Sequence, residues 1–208
     1  MSSSHHPEES GAGTALARGQ GWRATQVLAP LLGSPTTRTP DVVILAARAA
    51  ASWEGWATVR KLLEGQPWLD ERFDGLGHRL LAEAYLGDNR NPQALAQALV
   101  AVTRTSASRS ASDQGMRLIL LARAYDRLDQ LDSAAAVYLR ASTQLPDLAD
   151  WLTLRAAGVT SDSTRRMALL GTVTLAAAIP RAPWTEALAR DRSGDLAGAA
   201  LHYEHLAA

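Results

Sequence analysis

The sequence of 208 residues has no cysteine, a single phenylalanine and a single lysine, Lys61. Without cysteine there is no disulfide framework, no thiolate zinc site and no thiol nucleophile, although the absence does not choose a compartment. A formal net charge of +0 excludes a nucleic-acid partner held by bulk charge. The uncharged run Met167 to Pro180 is too short for a membrane span and ends at Arg181. Sustained period-two alternation with β-branched residues is missing, so no strands are predicted. Enzyme motifs are missing as well. Gly75-Leu-Gly77-His-Arg-Leu lacks the third glycine and preceding strand of a dinucleotide loop, and there is no P-loop, nucleophile elbow or HExxH. No catalytic residue and no cofactor are therefore expected.

What remains is alanine-rich and helical. Hydrophobic residues make up 47% of the chain, enough for a core, and alanine has the best intrinsic helix propensity. Residues 1–13 are polar and glycine-bearing, start Met1-Ser-Ser-Ser-His5-His6 without the apolar core of a signal peptide, and read as a disordered tail or tag remnant. From residue 14 to 208 the apolar periodicity predicts helices over Gly21–Leu32, Val42–Ala51, Trp56–Glu64, Asp74–Leu86, Asn91 to about Thr105, Met116–Leu128, Leu131–Leu145, Leu148–Ala157, Ser161 to about Ala178, Pro183–Arg192 and Asp195–Ala207. Thr39-Pro40-Asp41 and Asn91-Pro92 are helix starts, each an N-cap followed by a first-position proline. Ser161 or Asp162 caps a later helix, Gly87 and Gly158 close two others, and Ser106–Asp113 is a serine-rich hinge.

The helices repeat. Leu118-x2-Leu121-Ala122-x2-Tyr125-x8-Ala134-x3-Tyr138-x2-Ala141-x4-Pro146 has the same offsets as Leu81-Ala82-x2-Tyr85-x8-Ala94-x3-Ala98-x2-Ala101, and again as Ala187-x2-Arg190-x8-Ala199-x3-Tyr203-x2-Leu206. Alanines let backbones approach while tyrosines and leucines fill the gaps beside them. Such a period in an all-helical pattern means stacked hairpins, whose usual task is to hold a partner. The expected fold is all-α, an α-α superhelix of about ten or eleven helices arranged as a right-handed solenoid.

These residues resemble tetratricopeptide repeats, closely over 115–148 and partially over 75–106 and 180–207. In addition, Leu145-Pro-Asp-Leu-Ala-Asp-Trp151-Leu and Gly194-Asp195-Leu-Ala-Gly-Ala-Ala-Leu-His-Tyr203 resemble the N-terminal superhelix of bacterial soluble lytic murein transglycosylases. That resemblance implies a non-catalytic scaffold positioning peptidoglycan in the periplasm. The family's catalytic glutamate lies in a further C-terminal domain without a counterpart in this chain. The alternative is a free-standing repeat adaptor, cytoplasmic, binding a partner's peptide or helix. The expected partner is thus protein or peptidoglycan, with no nucleic acid and no membrane span; the oligomeric state is left open. An apolar face of Ala199, Ala200, Tyr203 and Leu206 on the last helix either packs back onto the preceding helices or, as favoured here, is covered by a helix removed by truncation.

Candidate ligand-facing residues follow from the same frame. Arg79, Arg123, Arg127, Arg155, Arg181 and Arg192 lie on or beside first helices of the pairs, which line the concave side of tetratricopeptide arrays. They form either a cationic groove for carboxylates or a solvated face balanced by Glu83, Asp126, Glu186 and Asp191. Six tryptophans, at 22, 53, 56, 68, 151 and 184, are packing residues or sugar-stacking platforms. Trp53 with Trp56 is the best candidate platform, whereas Trp151 and Trp184 read as packing. His202 and His205 have helical two-ligand spacing but no third ligand, and His78 is placed on a helix surface.

Overall fold

The computed structural model describes residues 7–104 and 110–207, and these are all helix, 3-10 turn and loop, with no strand among them. The chain forms two compact units, Met1–Thr105 and Ser106–Ala208.

In the first unit, α1 (Pro7–Ala17), α2 (Gly21–Gly33), α3 (Pro40–Ala51), α4 (Trp56–Leu63), α5 (Leu76–Gly87) and α6 (Asn91–Thr103) pack each on the next. In addition α3 touches α1 and α5, the next-but-one contact of a solenoid. Thr39 caps α3 as expected, its side chain accepting from the Val42 N–H at 3.3 Å, with Pro40 at the first position and Asp41 in the first turn. The core alternates bulk and smallness: Leu28, Val42, Val43, Val59, Leu63 and Leu80 sit among Ala24, Ala46, Ala47, Ala49 and Ala50, all buried. Gly77 faces Leu69 so closely that a Cβ there would strike its side chain, and a Cβ at Gly87 would strike the Trp56 indole.

In the second unit, α7 (Ala111–Asp126), α8 (Leu131–Gln144), α9 (Ala149–Val159), α10 (Ser163–Gly171), α11 (Ala182–Arg192) and α12 (Leu196–Ala207) again pack in chain order, and α9 also reaches α11. Short 3-10 turns at Pro146–Leu148 and Ile179–Arg181 lead into α9 and α11. A buried ionic cluster fastens the end of this unit. Glu186 on α11 accepts from Arg166 Nε of α10 at 2.7 Å and from Arg190 Nε at 2.7 Å. Arg166 Nη1 also donates to the Thr160 carbonyl at 3.1 Å. Arg190 Nη1 in turn donates to Asp195, whose other oxygen accepts the Gly198 N–H of α12.

One turn recurs in both units. Gly19, Glu54, Asn89, Asp129 and Gly194 all have left-handed φ between 54° and 83°, and each ends the first helix of a hairpin. After each, the next amide donates to a carbonyl five residues back: Gln20 to Ala15, Gly55 to Ala50, Arg90 to Tyr85, Gln130 to Tyr125 and Asp195 to Arg190. That is the Schellman closure, which satisfies the orphan carbonyls of a helix end. In the first unit Gly19 to Glu54 and Glu54 to Asn89 are both 35 residues, whereas in the second Asp129 and Gly194 stand 65 apart with α9 and α10 between them.

The structure corrects four sequence expectations. Residues 7–13 of the expected tail belong to α1, with Ala12 and Ala15 buried in the core, and residues 1–6 lie outside the description. The expected helix Ser161–Ala178 is α10 followed by a loop, which Asp150 on α9 holds by accepting the backbone N–H groups of Thr174, at 2.8 Å, and Leu175. The β-branched run Thr172-Val173-Thr174 favours leaving the helix there. The hinge expected at Ser106–Asp113 is already helical from Ala111, capped by Ser110, and its residues 106–109 lie outside the description. On α12, Ala199 is buried and Tyr203 and Leu206 are half-buried, while Leu196, Ala200 and Leu201 are exposed, so the outward apolar face is not the expected one.

Candidate binding groove

Helical spacing brings three stripes of side chains together in the second unit. On α7, Ile119, Arg123, Asp126 and Arg127 fall on one face, three and four residues apart. On α9 the same spacing aligns Trp151, Leu154, Arg155, Gly158 and Val159. On α11, with Arg181 just before it, the stripe is Thr185, Leu188, Asp191 and Arg192. α8 packs on both α7 and α9, while the backbones of α7 and α9 are not closely packed with each other. Above α8 the gap between them is a cavity of about 720 Å³, lined by Ile119, Arg123, Asp126, Arg127, Tyr138, Leu148, Trp151, Leu152, Arg155 and Arg192. A second cavity of about 570 Å³ continues along α9 and α11 and shares Asp126, Trp151, Arg155 and Arg192 with the first.

The two cavities form one groove with five arginines (123, 127, 155, 181 and 192) against two aspartates (126 and 191). Arg192 is spoken for: its Nη2 lies 3.0 Å from Asp126 Oδ1, tying the C-terminal ends of α11 and α7 together. Arg123, Arg155 and Arg181 have no ion-pair partner among the described residues, and all three are exposed. Unpaired guanidiniums along an open groove attract anions, and their fixed fork favours carboxylate and phosphate oxygens. Trp151, 37% exposed, stands where the cavities meet, and Leu148 and Leu188 are exposed on the same walls. Tyr138 on α8 is only 4% exposed yet lines the first cavity. Burial raises its hydroxyl pKa above the ordinary tyrosine value, with help from Asp126, while Arg155, Arg123 and Arg192 pull the other way.

The remaining candidates lie elsewhere. Arg79 and Glu83, on α5 of the first unit, pair with each other at 2.8 Å. Trp53 meets Trp22 edge-on, with ring centres 5.2 Å apart and planes at 78°, and its Nε1 donates to Thr25 Oγ1 at 3.1 Å, so the two indoles offer no shared flat platform. Trp56 is half-buried against the core and Gly87. The repeat positions Leu81, Ala82, Ala94, Ala98, Leu121, Ala122, Ala134, Ala141 and Ala199 are buried, Tyr85 and Tyr125 half-buried, and Pro146 exposed at its 3-10 turn. Tyr203 packs against Trp184, with ring centres 5.9 Å apart.

No protein-family model matches the sequence, no curated protein is similar to it, and no solved structure matches it. No family is assigned on that ground. What stands is that the described residues are helical and that, within each unit, consecutive helices pack in order, as in an α-solenoid.

Two residues carry more than sequence reasoning gave them. Trp151, read as packing, faces the groove; the available signal was its place four residues before Arg155 on the same stripe. His78, placed on a surface, is buried, with Nδ1 2.7 Å from Gln97 Oε1 and Nε2 3.1 Å from Asp70 Oδ1. Its spacing of three and four from Leu81 and Ala82 put it on the core stripe. Around His202 and His205 no group of three metal-ligating side chains occurs among the described residues.

Proposed function

We propose that this chain is a non-catalytic, tetratricopeptide-like binding scaffold whose groove on α7, α9 and α11 takes an extended, anionic segment of a partner protein. The observation that carries the reading is the convergence of five arginines, on or at the ends of three separate helices, on one continuous groove with Trp151 between its two halves. The groove is open, so affinity comes from many modest contacts: guanidinium–anion pairs along the walls, and apolar side chains against Trp151, Leu148 and Leu188. Such binding weakens with salt, because exposed charges are screened over about 8 Å at physiological ionic strength.

The test is an array of synthetic extended peptides of graded aspartate and glutamate content, read by fluorescence anisotropy. Binding should rise with acid content, fall as salt increases, and disappear when Arg123, Arg155 and Arg181 are all changed to Glu. Equal binding by the triple variant, or no affinity for any acidic peptide, would refute the reading.

A second reading is supported by the resemblance over Leu145–Leu152 and Gly194–Tyr203: the superhelical part of a periplasmic lytic transglycosylase. Peptidoglycan stem peptides also present carboxylates that the same arginines would accept. Co-sedimentation with purified peptidoglycan, set beside the peptide array, separates the two; retention lost with the triple variant favours the wall, and no retention favours the protein partner.

A further inference from the structure

We propose that the cavity between α7 and α9 is a phosphate-monoester site, seating one phosphoryl group of a phosphorylated partner segment on Arg123, Arg155 and the hydroxyl of Tyr138. The inference deepens the groove reading and rests on it.

Tyr138 is the independent observation. Its side chain is almost wholly buried, it lines the cavity, and its hydroxyl has no hydrogen-bond partner among the described residues. The ring is packed in the core while the hydroxyl opens into the cavity with no partner among the described residues, so it is held in place and free to donate to whatever enters. Raised by burial, the phenol keeps its proton across the neutral range and stays a donor. The two cations beside it, Arg123 on α7 and Arg155 on α9, make no ion pair with any described residue. Arg192 in the same cavity is neutralised by Asp126.

The shape and charge of this donor set favour phosphate over carboxylate. The three donors line one cavity from three different helices, which suits a tetrahedral group with three free oxygens. A planar carboxylate is satisfied by a single guanidinium fork and would leave the second arginine uncompensated. Two unpaired guanidiniums also match the charge of a phosphomonoester, roughly −1.5 to −2 at neutral pH.

The experiment titrates the intact chain with inorganic phosphate and with acetate by calorimetry, then with three versions of one acidic peptide carrying phosphoserine, glutamate or serine at the same position. Saturable phosphate binding with little heat from acetate is expected, and the phosphopeptide should bind about tenfold or more tighter than its glutamate version. Arg123→Gln and Arg155→Gln should each lose about tenfold or more in phosphate affinity, and Tyr138→Phe about three- to tenfold. Both arginines are exposed and Phe preserves the ring, so these variants keep the fold, which far-UV circular dichroism checks. If the glutamate peptide matches the phosphopeptide, or if Arg155→Gln and Tyr138→Phe bind phosphate like the parent, the phosphate site is wrong while the scaffold stands. If no anionic peptide binds at all, both fall.

Discussion

Removing the Glu186 carboxylate should strongly destabilise the second unit. Glu186 and Arg166 have side chains only 3% and 4% exposed, joined at 2.7 Å, and Glu186 also receives Arg190. In Glu186→Ala the Arg166 guanidinium keeps the Thr160 carbonyl but faces the interior without a counter-charge. Breaking a buried pair from one side costs about 3–5 kcal/mol, against a total stability of about 5–15 kcal/mol for a domain. With a urea dependence of about 1–3 kcal/mol per molar, the unfolding midpoint should fall by about 2 M. Arg190→Ala, whose partner Glu186 still holds Arg166, should cost much less. The double variant Arg166→Met with Glu186→Leu removes both buried charges, leaves Arg190 on Asp195, and should return most of the lost stability. pH provides a second readout. Burial pushes the Glu186 carboxyl up, but the hydrogen bonds and charges of Arg166 and then Arg190 outweigh it and hold the group below its ordinary value of 4.5. Its folded pKa is thus depressed, so the stabilisation is complete above about pH 4.5 and lost as pH falls below it. Glu186→Ala should lack that acid-side slope. A loss under about 1 kcal/mol, or a double variant as unstable as the single one, would show that shape rather than charge holds α10 to α11.

Other expectations follow from local geometry. Gly77→Ala should destabilise the first unit by about 1–3 kcal/mol in chemical unfolding, because its Cβ meets Leu69. At Glu54, held at φ 61°, Gly should be stabilising by about 0.5 kcal/mol and Val should cost about 1–2 kcal/mol by calorimetry. Asp150→Ala should free the loop after α10, seen as faster hydrogen exchange at the Thr174 and Leu175 amides; unchanged exchange would mean the loop is held by Val173 and Ala178 packing instead.

The all-helical reading was legible because its signals are local. Thr39 before Pro40, and Asp162 accepting from the Thr164 and Arg165 amides, cap their helices as the residue types predict. α1 was not legible: Gly11 and Gly13 are poor helix formers, and only packing of Ala12 and Ala15 onto the core explains the helix. The break after Gly171 escaped for a related reason, since its tether, Asp150, lies 24 residues away in sequence. The arginine stripes could be read from spacing, and Trp151 sits on one of them, yet Tyr138 could not be told from a core residue. Groove-lining and core-lining positions share one helical period, and only the spreading of α7 from α9 separates them.

The repeated left-handed closure has a kinetic consequence. Every hairpin that carries it is sealed by a hydrogen bond spanning five residues, so its turn can set before any distant partner has arrived. Chains dominated by short-range contacts reach the native state quickly, and modular stacks can nucleate at more than one place. Refolding of either unit should therefore be fast, and a residue that weakens a turn should slow it more than an equally costly change in the buried ionic cluster.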